Sequence, residues 1–123
     1  MSGNSFLLDT NAVLYVLNGD ETLADFLFEK ELYLSIISEM ELLSYKDITE
    51  EEKKSIKHFL NEFVIINIDE RIKQNAIEIK KATSLKLPDS IIAATSLSLK
   101  LPLITSDKNF KHVGKLNLVY YEK

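Results

Sequence analysis

The sequence predicts an α/β fold: three layers, α/β/α, around a parallel central sheet of four to five strands. Two observations predict it. Short apolar runs recur along the chain, and between them lie longer stretches whose apolar residues are spaced three and four apart. The order is strand, helices, strand, helices throughout, which calls for helices on both faces of a parallel sheet.

Phe6 to Leu8 read as a buried strand. Ala12 to Leu17 follow as a helix, which Asn18-Gly19-Asp20 can stop. Thr22 is placed to cap a second short helix carrying Leu23, Phe26 and Leu27. Leu32 to Ile37, rich in branched apolar residues, read as the second strand. Ser38 can cap the helix after it, which runs to about Tyr45. Thr49 opens another helix, with Glu50, Glu51 and Glu52 in the first turn, where the helix dipole favours acids. Its apolar face is Ile56, Phe59, Leu60 and Phe63.

Val64 to Ile68 read as the third strand. Asp69 then caps a long helix through roughly Lys86, with Ile72, Ala76 and Ile79 facing inward. Leu87-Pro88-Asp89 breaks it and starts another, Ser90 to Lys100, which is apolar almost all round and therefore expected to be buried. Pro102 ends that helix. Leu103 to Thr105 form a fourth strand, Ser106 to Gly114 a loop, and Leu116 to Tyr120 a last, edge strand. With no repeat, low-complexity tract or linker, residues 1–123 are expected to form a single domain.

The composition excludes several functions. Without cysteine there is no disulfide framework, thiolate metal site or cysteine nucleophile. The first residues lack the pattern of a signal peptide, and no apolar run is long enough to span a bilayer, so a cytoplasmic protein away from the membrane is expected. A net charge of −4 argues against binding nucleic acid by simple attraction. Arg71 is the only arginine, which argues against reading base edges in a duplex. Neither point excludes a nuclease, whose acidic metal site adds negative charge that bound cations neutralise.

Asp9, Glu41, Asp89 and Asp107 all lie near predicted element boundaries. Each has a plain alternative. Asp9 and Asp89 could cap helices, Glu41 stands at the capping-box spacing from Ser38, and Asp107 could be a turn residue. Together they mean more. Asp9 and Asp107 each follow a strand directly, and strand ends of a parallel sheet share one edge, where ligands of open α/β sheets bind. Carboxylates gathered there would repel one another unless a divalent cation neutralises them or some are protonated. Hard oxygen ligands without histidine or thiolate favour Mg2+ or Mn2+ over zinc. Such ions can activate water against a phosphodiester.

Four segments carry a family resemblance. Leu7-Leu8-Asp9-Thr10-Asn11, Leu34 to Leu42 with its Glu41-Leu42 pair, Leu87-Pro88-Asp89-Ser90-Ile91-Ile92-Ala93-Ala94-Thr95, and Ile104-Thr105-Ser106-Asp107-Lys108-Asn109-Phe110 come in order along nearly the whole chain. Together they resemble the PIN domain family, and within it the VapC-like toxin ribonucleases of toxin–antitoxin pairs. The resemblance implies a PIN-like fold and metal-dependent endoribonuclease activity, with Asp9, Glu41, Asp89 and Asp107 as the catalytic, metal-binding acids and Asp9 and Asp89 as direct ligands. Thr10 and Asn11 would orient Asp9, and Thr105 or Ser106 would support the site. It also implies an RNA substrate and an antitoxin protein as partner. Glu39 competes with Glu41, but two residues apart on a helix they point in different directions, and the Glu-Leu pair favours Glu41. Asn109 stands where many relatives carry another aspartate. Its carbonyl oxygen can ligate but adds no charge, so a single resting metal fits.

Lys108 and Lys111, with Lys115, could hold an RNA backbone or simply be solvated. His58 reads as solvent-facing, and nothing demands a role for His112. Core packing is the default for the tyrosines and phenylalanines; Tyr120 and Tyr121 could instead pack at a subunit contact, and Ala24, Phe26, Leu27, Phe28 and Tyr45 could form a dimer contact or partner groove, though buried core explains the same pattern; a homodimer is expected. The main alternative function is a non-catalytic PIN-like module binding RNA or protein through a degraded metal site. A phosphatase with Asp9 as nucleophile would need a second aspartate where Asn11 stands, a receiver domain lacks its phosphorylated aspartate and lysine, and a nucleotide-binding loop lacks its glycines.

Overall fold

A computed structural model describes residues 4–122. The elements are β1 (Ser5–Leu8), α1 (Thr10–Leu17), α2 (Glu21–Leu27), β2 (Glu31–Ser35), α3 (Ile36–Leu43), α4 (Glu50–Leu60), β3 (Phe63–Ile66), α5 (Glu70–Ala82), α6 (Leu87–Leu99), β4 (Leu103–Thr105) and β5 (Leu118–Tyr120). The five strands pair in the order β3-β2-β1-β4-β5, and every pair is parallel. Central β1 aligns Leu7 with Tyr33 of β2 on one side and with Leu103 of β4 on the other.

Side-chain alternation along β1 divides the core. Phe6 and Leu8 join a cluster with Val13, Leu23, Leu34, Leu42, Ile56 and Leu60, under α1, α2 and α4. Leu7 joins a second cluster with Ile72, Ala76, Ile79, Ile92, Ala93 and Phe110, under α5 and α6. These are the two outer layers that the alternation of elements predicts.

The boundaries differ from the sequence reading in instructive ways. Asp20, not Thr22, caps α2: its carboxylate accepts from Leu23 N at 3.0 Å, and Thr22 lies inside the first turn. Ile36 and Ile37 belong to α3, not β2, and Ser35 rather than Ser38 caps that helix, accepting from Ile37 N at 3.2 Å. A run of branched apolar residues cannot by itself separate a buried strand from a buried helix start. The capping-box reading of Glu41 therefore falls, because Glu41 is the sixth residue of α3 and not in its first turn. Phe63 is in β3, not α4, and β3 stops at Ile66.

Helix α5 ends at Ala82, short of Lys86, where the Thr83 hydroxyl donates back to the Ile79 carbonyl at 2.8 Å. Helix α6 starts at Leu87, with Pro88 in the first turn, where the missing N–H costs nothing. Asp89 is thus a first-turn acid rather than a cap. Lys108–His112 form a short 3-10 helix within the predicted loop, and β5 is shorter than Leu116 to Tyr120. No helix among the described residues is long and apolar enough to cross a membrane.

Thr49 and Glu52 form a reciprocal capping box on α4, each side chain bonded to the other's backbone N–H at 3.0 Å. Replacing Thr49 by alanine orphans one donor. The expected result is a loss of about 1 kcal/mol in urea unfolding, with an unchanged slope.

Candidate metal centre

The strand order reverses direction between β1 and β4, so the carboxyl ends of these two neighbours frame a crevice. Asp9 leaves β1 there, and Asp107 follows β4 after one intervening residue. Helix α3, which follows β2, delivers Glu41 from the other side, and the first turn of α6 delivers Asp89. The four carboxylates line one cleft of about 360 Å3, together with Thr10, Asn11, Ser44, Tyr45 and Phe110. Glu39 is not among the lining residues, whereas Glu41 is.

Asp9 is 3 % exposed and does two things at once. Its Oδ1 accepts from Ala12 N at 2.8 Å and caps α1, while its Oδ2 accepts the hydroxyl of buried Thr105. The cap and the site are not rival readings of this residue. Burial pushes its carboxyl up from 3.8 to about 6. The two hydrogen bonds oppose the rise, and the negative fields of Asp89 and Asp107 add to it. Asp89 is also raised, first by burial, then by Asp107 and Glu41, with the Lys86 ammonium opposing. The acids therefore feel one another across the cleft.

Short contacts orient them. The Thr10 hydroxyl donates to Glu41 Oε1 at 2.7 Å and is paired with buried Ser38 at 2.9 Å. A hydroxyl has one proton, so with it given to Glu41 the Ser38 hydroxyl donates back to Thr10. Thr10 thus orients Glu41 rather than Asp9. Thr105 also accepts from Asp107 N at 3.0 Å, linking two of the acids through one hydroxyl. Asp107 Oδ1 accepts from Asn109 N at 2.9 Å, capping the 3-10 helix, while the Asn109 side chain is exposed. Ser106 pairs with the Tyr15 hydroxyl at 2.8 Å.

Lys108 and Lys111 are exposed and outside the cleft lining, and the Lys111 ammonium lies 4.5 Å from the centre of the Tyr120 ring. Tyr121 finds its partner within the chain, at Asp20. His58 and His112 are exposed.

The donor set is chemically right for a hard divalent cation, being all oxygen and all carboxylate. Its spacing is looser. Among the described residues no three acidic or imidazole side chains stand close enough to enclose one ion. Carboxylates that repel one another settle apart, and Mg2+ commonly takes only one or two of them with water completing its shell.

The sequence reading missed Ser44, Tyr45 and Phe110 as cleft residues, as well as Ser38 behind them. A signal existed for two of these. Ser44 and Tyr45 follow Glu41 by three and four residues, which places them on its side of the helix expected to run to about Tyr45, although α3 itself ends at Leu43 with Ser44 as its C-cap.

The PIN domain family matches residues 6–116. A comparison with curated proteins returns no match. Among solved structures, a chain of a toxin–antitoxin complex from Klebsiella pneumoniae is 30% identical, with a TM-score of 0.81 over 96% of this chain and 99% of that one. VapBC2 from Rickettsia felis, bound to a DNA fragment from its promoter, gives a TM-score of 0.85 at 20% identity over 96% and 99%. DNA-bound VapBC from Salmonella typhimurium gives 0.80 at 18% identity over 94% and 97%. At those lower identities the likeness is one of fold. The parallel sheet, the acids at its carboxyl edge and the family match over residues 6–116 agree: this chain belongs to the PIN domain family.

Proposed function

We propose that this protein is a Mg2+- or Mn2+-dependent ribonuclease that hydrolyses RNA phosphodiester bonds, the toxin of a VapBC-type pair. The observation that carries this reading is the cleft shared by Asp9, Glu41, Asp89 and Asp107, where burial first and the neighbouring acids second raise the carboxyls of Asp9 and Asp89. A phosphodiester is an anion and would be repelled by this cleft unless a cation came with it.

Asp9, Asp89, Asp107 and Glu41 would hold the ion, with Asp9 and Asp89 foremost. Bound there, a divalent ion acidifies water and neutralises charge developing on the phosphoryl oxygens. The chain's own part is to hold the ligands still. Thr105 fixes Asp9, Thr10 fixes Glu41, and the backbone N–H groups of residues 107 and 109 fix the turn that bears Asp107. The cleft is open at Asn11 and Tyr45, both exposed, where a strand of RNA can enter.

By the likeness to toxin–antitoxin complexes, an antitoxin protein is the proposed inhibitor and partner. A homodimer and a cytoplasmic location belong to the same proposal. A second reading, a non-catalytic PIN-like module, is favoured by one observation: among the described residues no three acids form a ready cage.

Purified protein with an RNA oligonucleotide separates them. Cleavage is expected with Mn2+ and is expected to stop with chelator, and calorimetry should detect Mn2+ binding. Cleavage that survives the chelator overturns the metal reading. Neither binding nor cleavage leaves the non-catalytic module.

A further inference from the structure

Outside the cleft, a chain of side chains runs from the start of α2 to the turn between Thr105 and Asp107. The Asp20 carboxylate, which caps α2, lies 2.9 and 2.8 Å from the Tyr121 hydroxyl through its two oxygens. That contact holds the phenol proton on Tyr121 and raises its pKa. The Tyr121 ring packs against the Tyr15 ring, 6.1 Å between centroids and tilted by 55°. The Tyr15 hydroxyl pairs with Ser106 Oγ at 2.8 Å. The Tyr121 backbone closes the circuit, its N–H donating to the Thr105 carbonyl at 2.7 Å.

The segment is also held by the Thr105 hydroxyl, by the N–H groups of residues 107 and 109 and by the buried Phe110, and the Tyr15 contact is the one made by Ser106 itself. Strand β4 is only three residues long, and its last residue supplies the Thr105 hydroxyl that Asp9 accepts, while the Asp107 carboxylate follows two residues on. Ser106 stands between those two. Its neighbours face the acid site, while its own hydroxyl is held by Tyr15 from α1, the helix that Asp9 caps. A rotation of this turn would move Thr105 and Asp107 together and disturb Asp9 through the Thr105 hydroxyl.

We propose that Tyr15 is a positioning residue of the metal centre, acting through Ser106 to fix the 105–107 turn, with Tyr121 and Asp20 bracing its ring from behind. This rests on the metal-dependent reading of the cleft. Tyr15 is not among the residues that line the cleft. Its hydroxyl sets how well the acids are arranged before the ion arrives. Tyr15→Phe keeps the ring and removes the hydroxyl contact to Ser106, and Ser106→Ala removes that contact from the other end.

The test is Mn2+ titration by calorimetry of the unaltered chain, Tyr15→Phe, Ser106→Ala and the double variant, with urea unfolding of each in chelator. Each single variant is expected to weaken Mn2+ binding about threefold to tenfold, the range of one lost neutral hydrogen bond. The double variant is expected to be no weaker than the worse single one, because one contact cannot be lost twice. Unchanged Mn2+ affinity in both single variants, or losses that multiply in the double, overturns the proposal even when the unaltered chain binds Mn2+. A loss of stability in urea with Mn2+ affinity intact marks a purely structural contact and also overturns it. Should Tyr15→Phe fail to fold, Ser106→Ala decides alone. No Mn2+ binding by the unaltered chain overturns the metal reading, and this proposal falls with it.

Discussion

Asp9→Asn is expected to abolish Mn2+-dependent RNA cleavage and, in chelator, to make the protein more stable at pH 8. The first half follows from position. Asp9 sits at the centre of the sheet's carboxyl edge, and Asp89 and Asp107 both act on it. Losing its charge removes several kcal/mol of cation and transition-state stabilisation, so cleavage should fall about a thousandfold or more. The second half follows from burial. The carboxyl pKa rises from 3.8 in the open chain to about 6 in the fold, so the native state holds this proton more tightly than the unfolded state.

The favourable contribution of that proton is fully present below pH 3.8 and is lost as pH rises through 6. Above that, the metal-free fold carries an ionised buried carboxylate at a cost of about 3 kcal/mol. Asparagine keeps an oxygen for Ala12 N and presents its amide to Thr105 without the charge. The expected gain is about 1–2 kcal/mol at pH 8, because part of the 3 kcal/mol is offset by the poorer fit of an amide against the Thr105 hydroxyl; that offset does not titrate, so near pH 4 the variant is expected to be the less stable of the two by about 1 kcal/mol. Urea unfolding in chelator across this range checks it. A variant equally stable relative to the unaltered chain at pH 4 and pH 8 would show that Asp9 is not held in a desolvated site.

Phe110→Ala is expected to cost about 3–5 kcal/mol, a large share of the about 5–15 kcal/mol that stabilises a typical domain. The ring is 1 % exposed and packs in the cluster of Leu7, Ile92 and Leu103, while also forming part of the cleft wall. It anchors the 3-10 helix that Asp107 caps, and its backbone N–H donates to the Asp107 carbonyl at 3.3 Å. Removing the ring leaves a cavity under the turn and frees Asp107 to drift. The urea midpoint should fall by about 1 M or more. Mn2+ affinity should fall as well, even at temperatures where the variant remains folded. Phe110→Leu, which fills most of the space, should cost less than about 1.5 kcal/mol. A midpoint unchanged in Phe110→Ala would contradict the packing described.

Strand β4 and the inward faces of α4 and α5 were legible because local periodicity records burial: Ile56 and Leu60, and Ile72, Ala76 and Ile79, are buried as their spacing predicts. Element ends were less legible. Ile36 and Ile37 look like strand and begin a helix, because a branched apolar residue suits either when the surroundings bury it. Asp20 rather than Thr22, and Ser35 rather than Ser38, won their caps because a cap is decided by which side chain reaches a free N–H, not by which residue type is nearby.

The candidate acids were legible one by one, and their order along the chain pointed to a family. The sequence by itself determined the alternation of elements, and with it a parallel sheet whose strand ends must share an edge. It determined that the edge would be acidic and free of thiolate and histidine. Only the tertiary structure decided which acids meet. It set Glu41 and not Glu39 in the cleft, gave Thr10 to Glu41 and Thr105 to Asp9, and brought Tyr15 against Ser106, ninety-one residues away. The physical reason is the range of the interactions. Periodicity and capping act over a few residues and leave a local trace. Desolvation, mutual repulsion and hydroxyl contacts between distant segments exist only once the sheet has brought those segments together.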